Sequence, residues 1–537
     1  MRDDAARPDA DLAILLGADL APLALEQASD QAHRQTLLVV APPTRLDDTD
    51  RAILDGAEHV HVFHDGPLPT LSSWILDRLR VEPLGTVQVT VGAIDDPEPW
   101  LTEVERAIHL LRVELATLRE RGRDLDRNFL ANLPWLAESG SLASLAGRFT
   151  GRPALVVAGG PSLDRNVERI RDAVGHSLLI AASAAVRPLR DHGIEPDLIV
   201  AIDMGPTSRN HLAGIGRPAG SFAVIAPEAH PSSWQQLGDR CFALPGRSEM
   251  TRWLEPFTAE RGSVETGSSV AHTAFFLARE LGCDPIVFAG LDLAFDGDRS
   301  HARGVNGKPV RKLREPMAAV PASDGRGTVT TSERLLTYLS LLERHVLETE
   351  ATVVDASEGG ARVRGTEVMT LEEAIRRFFA EPFDARATLS EAQRDPVLLD
   401  ADSLRNELLS VASRLEGIHR LTGRGLRALD ELGGVAPDAP AELARARAAV
   451  NEVRRKLLEE EAMLSWMRRS MVASWLETRR MERRIRGLDP GAESEARRCR
   501  MQALRAAFRD ARRASRTLAA TARASAARLQ RAEAVAG

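Results

Sequence analysis

Short apolar runs alternate with helically spaced ones from the start of the chain. Asp11–Leu16 (DLAILL), Thr36–Ala41 (TLLVVA), His59–Phe63 (HVHVF) and Thr86–Val91 (TVQVTV) read as strands. Leu71, Ile75 and Leu79 recur on one face and predict a helix over Leu71–Leu79. Residues 1–122 therefore read as a small N-terminal α/β domain. Its last part changes period: Ile108, Leu111, Leu115 and Leu118 form one stripe, which predicts a long amphipathic helix from about Glu98 to Arg121. Residues 123–150 read as a helical connector.

From Gly151 the strand signal changes character. Ala154–Gly159, Leu178–Ser183, Leu198–Asp203, Phe222–Pro227 and Ile286–Gly290 are almost continuously apolar. Such runs suit strands buried on both faces, as in a parallel sheet. Helical patterns at Asn166–Val174 and Val270–Leu281 separate them, and Thr352–Ser357 supplies a last strand. The expected fold class is α/β, with a central doubly wound, mostly parallel sheet over residues 151–385.

After Pro396 the strand signal stops. Leu404, Leu408, Val411 and Leu415 have helical spacing, as do Val453, Leu457 and Met463. Gly433–Gly434 and Asp489–Pro490–Gly491 are breakers. Residues 396–537 are expected to form an all-α domain of three long antiparallel helices. The final one carries few large apolar residues (Leu504, Phe508, Leu518), so it reads as a helix in need of a partner.

Composition narrows the class. The net charge of −7 gives no electrostatic reason to expect nucleic acid. Lysine occurs only at Lys308, Lys312 and Lys456, so a phosphate would meet Arg or backbone N–H. Cys241, Cys283 and Cys499 are too far apart for a zinc or redox motif and fit a reducing compartment. The N-terminus is acidic rather than basic, and no apolar run approaches the ~18 residues of a membrane span. A cytoplasmic protein without a membrane span is expected.

Four segments carry candidate chemistry. In Val156–Asn166 (VVAGGPSLDRN), Gly159 and Gly160 end a strand before a helix, either a phosphate-binding turn or a plain strand-to-helix turn. It lacks both the Lys-Ser/Thr of a Walker loop and the G-x-G-x-x-G spacing of a dinucleotide site. In His192–Asp203 the strand ends at Asp203, either a ligand contact at the sheet edge or a helix cap. In Thr266–Gly282, Gly267, Ser268 and Ser269 precede a helix; one serine caps it and the other is free for an anion, while His272 reads as structural. In Phe288–Gly304, Asp292, Asp296, Asp298 and His301 share a polar loop after a strand. His301 and Asp292 are its catalytic candidates, the loop being otherwise a solvated one, without calcium-loop spacing.

Taken in order, GGPSL, GI-x-PD-x5-D, TGSSVA, GLDLAFDGDRSHARG and SEGGARVRGTEVMTLEEAI resemble the motifs of the motility-associated factors, whose central domain is shared with hydroxymethylpterin diphosphokinases. The resemblance covers about Gly151–Phe379. That domain is similar to bacterial sialyltransferases that use CMP-activated sugars. The resemblance implies that Gly160, Pro161 and Ser162 lie by the nucleotide, with Ser183 and Asp203 near ribose or base and Ser268 and Ser269 near the phosphate. The sialyltransferases place a general-base histidine before a helix that here begins near Ser332. This chain has Val329–Leu336 (VTTSERLL) there and no histidine, so His301 is the substitute. Arg299 or Arg303 is the candidate partner of a sugar carboxylate.

The expected function is inverting transfer of a CMP-activated nonulosonic acid, of pseudaminic or legionaminic type, onto Ser or Thr of flagellin. No metal or other cofactor is required for it. The C-terminal helices are expected to recognise flagellin or to buttress the fold. Two rivals stand: ATP-dependent diphosphate transfer to a hydroxymethylpterin, and a catalytically silent flagellin-binding module.

Overall fold

A computed structural model describes residues 12–17, 36–40, 60–63, 68, 71, 74–75, 87–92, 94, 96–205, 211–212, 220–246, 248–258, 262, 264, 269–305, 317–394, 400–436, 439–488 and 491–536. The chain divides into two compact units, Met1–Arg123 with Leu415–Arg516, and Asp124–Arg414 with Thr517–Gly537.

In the first unit β1 (Leu12–Leu16), β2 (Thr36–Val40), β3 (Val60–Phe63) and β4 (Val87–Val91) form a parallel sheet in the order β3-β2-β1-β4. All four lie where the apolar runs predict them. Leu12, Ile14 and Leu16 pack with Phe63, Leu71 and Ile75 against Val104, Ala107, Ile108 and Leu111 of helix α1 (Glu98–Glu138). Beyond Ile75, the helix expected over Leu71–Leu79 lies outside the described residues.

Helix α1 runs well past Arg121 and contains Pro134. Proline has no N–H to give the carbonyl four residues back. That carbonyl, of Leu130, accepts the buried Ser525 hydroxyl at 2.6 Å. The helix thus passes its proline without leaving the acceptor bare.

The second unit is built on a nine-stranded sheet. Its strands are β5 (Gly140–Ser141), β6 (Ala154–Val157), β7 (Leu178–Ala182), β8 (Leu198–Ala201), β9 (Phe222–Ile225), β10 (Cys241–Ala243) and β11 (Ile286–Ala289). A two-stranded antiparallel hairpin, β12 (Met317–Pro321) and β13 (Thr328–Ser332), stands apart, and β14 (Val353–Asp355) and β15 (Glu367–Val368) complete the large sheet. The order is β15-β14-β11-β6-β7-β8-β9-β10-β5, parallel throughout. Strands β6 to β11 are buried along their whole length, as continuous apolar runs require. The doubly wound expectation holds. The helix expected over Asn166–Val174 is instead a short helix, Leu163–Asn166, and a 3-10 turn, Arg169–Ala173. Asn166 breaks the run because its buried amide donates to the Ser357 carbonyl at 3.0 Å.

After residue 400 the helices are Ala401–Gly434, Pro440–Leu458, Glu461–Trp466, Arg468–Arg486 and Glu493–Ala536. Three helices were expected, but the middle stretch is interrupted near Glu459 and Met467. The pairs His419–Arg512, Asp430–Arg505 and Leu432–Arg497 show the first and last helices to be antiparallel. The last helix is packed through small residues: Ala511, Ala514, Ala522 and Ala526 are buried with Phe508 and Leu518. Counting only its large side chains underestimated that face. Of residues 396–537, 415–516 belong to the first compact unit and the rest to the second. Periodicity marks an apolar face without naming what it meets.

Asn132 on α1 positions the loop after β9. Its buried amide donates to the Pro227 and Ala229 carbonyls, each at 2.8 Å. Asn132→Ala leaves two carbonyls without that donor, which costs about 1–3 kcal/mol. A melting transition lowered by several degrees is the expected result, and an unchanged one would mean that the loop does not depend on Asn132.

Candidate functional site

In a parallel sheet every strand ends on the same edge. Strand β6 is the switch point, because β7 follows it on one side and β11 lies on the other. Ligands of such sheets bind outside the carboxyl ends of the strands at that point. The turn after β6 (Gly159–Ser162), Ser183 after β7, Asp203 after β8 and Asp292 after β11 all reach this edge. Helix α2 (Val270–Glu280) runs back from the same edge toward the start of β11, so its cap Ser269 is there too.

Asp292 ties β11 to β6. Its carboxylate accepts the Ser162 N–H at 2.7 Å, and the Ser162 hydroxyl forms a second, short bond to it. Burial drives the Asp292 pKa up to about 6, although both Ser162 bonds oppose the rise. Gly160 is required by this approach: a Cβ there would lie 2.5 Å from the Gly290 carbonyl and 2.7 Å from the Asp292 carboxyl carbon. The Gly160 N–H donates to Gly290 at 2.7 Å. The turn reads from sequence as either a phosphate site or a plain strand-to-helix turn, with Ser162 implied to lie by the nucleotide. The Ser162 N–H and hydroxyl are bonded to the Asp292 carboxylate, and the Gly160 N–H to the Gly290 carbonyl.

The far side of β11 continues the network. Ser357 donates its N–H to Asp355 at the end of β14, and its hydroxyl accepts the Leu291 N–H at 3.1 Å. Burial raises the Asp355 pKa as well. Gly360, at φ +83, lets its backbone lie against Asp292, where a Cβ would meet the Asp292 carbonyl oxygen at 2.3 Å. A cavity of 290 Å³ opens here, lined by Ser162, Arg165, Asp292, Ser323, Arg326 and Glu358 among others.

The loop after Asp292 folds back over β6. Asp164 takes the Arg299 guanidinium at 2.6 Å and the Arg303 N–H at 2.8 Å, and Asp296 takes the other arm of Arg299 at 2.7 Å. Two carboxylates thus offset the charge of Arg299, one of the two candidate partners of a sugar carboxylate. The Arg303 side chain is 87% exposed, with Asp164 at 3.7 Å. The Ala302 N–H donates to the Gly159 carbonyl at 2.9 Å, setting His301 beside the β6 turn. The His301 Nδ1 pairs with the Ser300 hydroxyl at 2.9 Å. Lost solvent on its inner side, then repulsion from His211 and Arg334, push the His301 pKa down to about 4. Arg334 stands in the first turn of α3 (Glu333–Leu347), the helix capped by Ser332.

On the β7–β8 side the Ser183 hydroxyl is buried without a hydrogen-bond partner among the described residues. Ser269 caps α2, its hydroxyl accepting the His272 N–H at 3.3 Å. Gly267 and Ser268 lie outside the described residues. His272 is buried in the helix interface with its ring edge against Tyr338, as a structural histidine is. Asp203 lies 3.9 Å from the Nδ1 of His211, whose side chain is 12% exposed. Burial raises the Asp203 pKa, and His211 opposes it. The motif reading missed His211, a lone histidine in a stretch without a motif. The preceding Asp197 belongs to the opposite edge, where it accepts Leu179 N–H and Arg386.

Because the Asp292 pKa is raised to about 6 from 3.8, the fold binds its proton more tightly than the unfolded chain. That contribution is complete below about pH 4 and is lost as pH rises toward 6. Asp292→Asn should keep both Ser162 bonds and remove this loss, so its melting temperature relative to the parent rises across that window. Asp292→Ala should be destabilised at every pH, by about 1–3 kcal/mol. A pH-independent difference between parent and Asn variant would refute the assignment.

Residues 127–298 match the family model described as 6-hydroxymethylpterin diphosphokinase MptE-like. No curated protein matches the chain. Among solved structures, a MAf glycosyltransferase from Magnetospirillum magneticum AMB-1 is similar at 16% identity, with a TM-score of 0.60 over 96% of this chain and 79% of that one. The match to the MptE-like model thus lies within the nine-stranded unit, and the chain's fold is similar to that of the MAf glycosyltransferase.

Proposed function

We propose that this chain is a cytoplasmic glycosyltransferase that moves a CMP-activated nonulosonic acid, of pseudaminic or legionaminic type, onto Ser or Thr hydroxyls of flagellin, in support of flagellum assembly and motility. The observation that supports it most is the extent of the fold likeness. It spans 96% of the chain, well beyond the residues 127–298 of the MptE-like match. In addition, no helix among the described residues is long and apolar enough to cross a membrane.

The chemistry suits the edge of the sheet. The start of α2 directs its dipole toward a departing phosphate, which favours CMP as a leaving group. The buried Ser183 hydroxyl is a donor and acceptor in want of a partner, as a ribose or base would supply. The acceptor hydroxyl gives up its proton to an imidazole, its oxygen attacks the anomeric carbon, and the bond to the phosphate oxygen breaks with its electrons going to CMP. Configuration inverts.

The family description favours a second reading, diphosphate transfer from ATP to a hydroxymethylpterin. Thermal shift separates the two. CMP is expected to raise the melting temperature, and ATP with Mg²⁺ to leave it unchanged; the reverse favours the kinase. Flagellin co-expressed with the chain should gain the mass of the sugar. Flagellin that is captured but unmodified would indicate a silent binding module. For Ser183→Ala the CMP dissociation constant should rise about two- to tenfold, the worth of one hydrogen bond. Unchanged affinity would take Ser183 out of the nucleotide site.

A further inference from the structure

A sugar acid brings a second negative charge besides the phosphate of CMP. A carboxylate that loses water needs a cation not already matched. The arginines legible in the sequence do not offer one. Arg299 is held by Asp164 at 2.6 Å and by Asp296 at 2.7 Å. Arg303 has Asp164 3.7 Å from its Nε. Arg165 and Arg326 line the cavity beside Asp292, but Asp292, Asp296, Asp324 and Glu358 line it too, which disfavours an anion there.

Arg334 differs from these. It stands in the first turn of α3, exposed, and its side chain makes no ion pair or hydrogen bond among the described residues. Two hydrogen bonds fix the start of this helix at the carboxyl edge. The Thr331 hydroxyl donates to the Leu293 carbonyl at 2.8 Å, and the Phe295 N–H donates to the Thr330 carbonyl at 2.8 Å. The end of β13 is thereby stitched to the loop that leaves Asp292, and α3 begins there. Arg334 is near enough to His301 to repel its proton, and the Ala302 N–H ties that histidine's loop to the β6 turn. An arginine beside a neutral imidazole leaves a positive charge at this edge for an incoming anion to offset.

We propose that Arg334 holds the carboxylate of the nonulosonic acid. This rests on the glycosyl-transfer reading above. The guanidinium offers two parallel N–H donors to the two carboxylate oxygens, while the phosphate is left to the start of α2. The carboxylate of a 2-keto sugar acid is bonded to the anomeric carbon itself. Holding it therefore selects an acidic sugar over a neutral one and fixes the carbon that the acceptor attacks.

The test uses the full-length chain, flagellin and whichever of CMP-pseudaminic and CMP-legionaminic acid the parent transfers, beside the same donor with its carboxylate converted to a carboxamide. Arg334→Ala should melt with the parent, since the side chain is exposed, and keep its CMP affinity within about twofold. Its kcat/KM for the acid donor should fall roughly 10- to 100-fold, the worth of a charge-assisted pair. Arg334→Lys should recover part of that loss, as a charge without the planar fork. The parent should lose a similar factor on the carboxamide, and Arg334→Ala should lose little more, because both changes break one pair. In unliganded Arg334→Ala the His301 pKa, followed by NMR of its ring C–H, should rise above about 4 as the repulsion is removed. An unchanged kcat/KM for the acid donor overturns the proposal. So does an equal loss of CMP affinity, which would put Arg334 on the phosphate, or losses from variant and carboxamide that simply add. A His301 pKa that does not move takes Arg334 away from this edge. A loss confined to Arg303→Ala gives the carboxylate to Arg303. Parent protein that transfers no sugar at all defeats the glycosyl-transfer reading itself, which distinguishes that failure from the others.

Discussion

Asp292 stands where the two halves of the nine-stranded sheet diverge. Strands β6 and β11 are neighbours, yet the chain leaves them in opposite directions, which opens a crevice that needs closing at its base. The Asp292 carboxylate closes it by taking both donors of Ser162. A buried carboxylate demands partners, and a turn of free N–H groups demands an acceptor. Each answers the other. Gly160 and Gly360 follow from this, since both must let backbone lie against Asp292 where no side chain fits.

The same logic orders the loop over β6. Asp164 holds Arg299 and the backbone of Arg303, so the segment between them lies along the β6 turn, with Ala302 bonded to Gly159. His301 is thereby brought toward His211 and Arg334 and deprived of solvent on one side. Asp292 after β11 and Asp355 of β14 are held by the Ser162 and Ser357 donors. The polar cavity of 290 Å³ lies beside Asp292.

Much of this was legible in the chain. The four strands of the smaller sheet and β6, β7, β8, β9, β11 and β14 of the larger one stand out as apolar runs, while the short β5, β10 and β15 do not. The segments bearing Gly160, Ser183, Asp203, Ser269 and Asp292 end strands or start a helix, and parallel topology puts all of them on one edge. The partners were not legible. Nothing in the spacing of Asp292 says that it meets Ser162, 130 residues away. His211 belongs to no motif, and only the packing of the loops after β8 and β11 gives it Asp203 and His301 as neighbours. Arg299 looked available for a ligand because sequence does not show that Asp164 and Asp296 flank it.

The helices divide in the same way. Periodicity alone places Ala401–Gly434 and Glu493–Ala536 in helices, because an amphipathic stripe is a local property. Where α1 passes Pro134, the freed carbonyl of Leu130 is met by the hydroxyl of Ser525, 395 residues beyond Leu130. The final helix is buried on a face of alanines that hydropathy scarcely marks, because small side chains act by allowing close approach rather than by their own apolar area. Local pattern determined which segments are strands and helices, and which of their ends carry chemistry. Tertiary structure decided which of those groups neutralise one another and which remain for a ligand, because hydrogen bonds and charges act across distances in space that the chain's own spacing does not record.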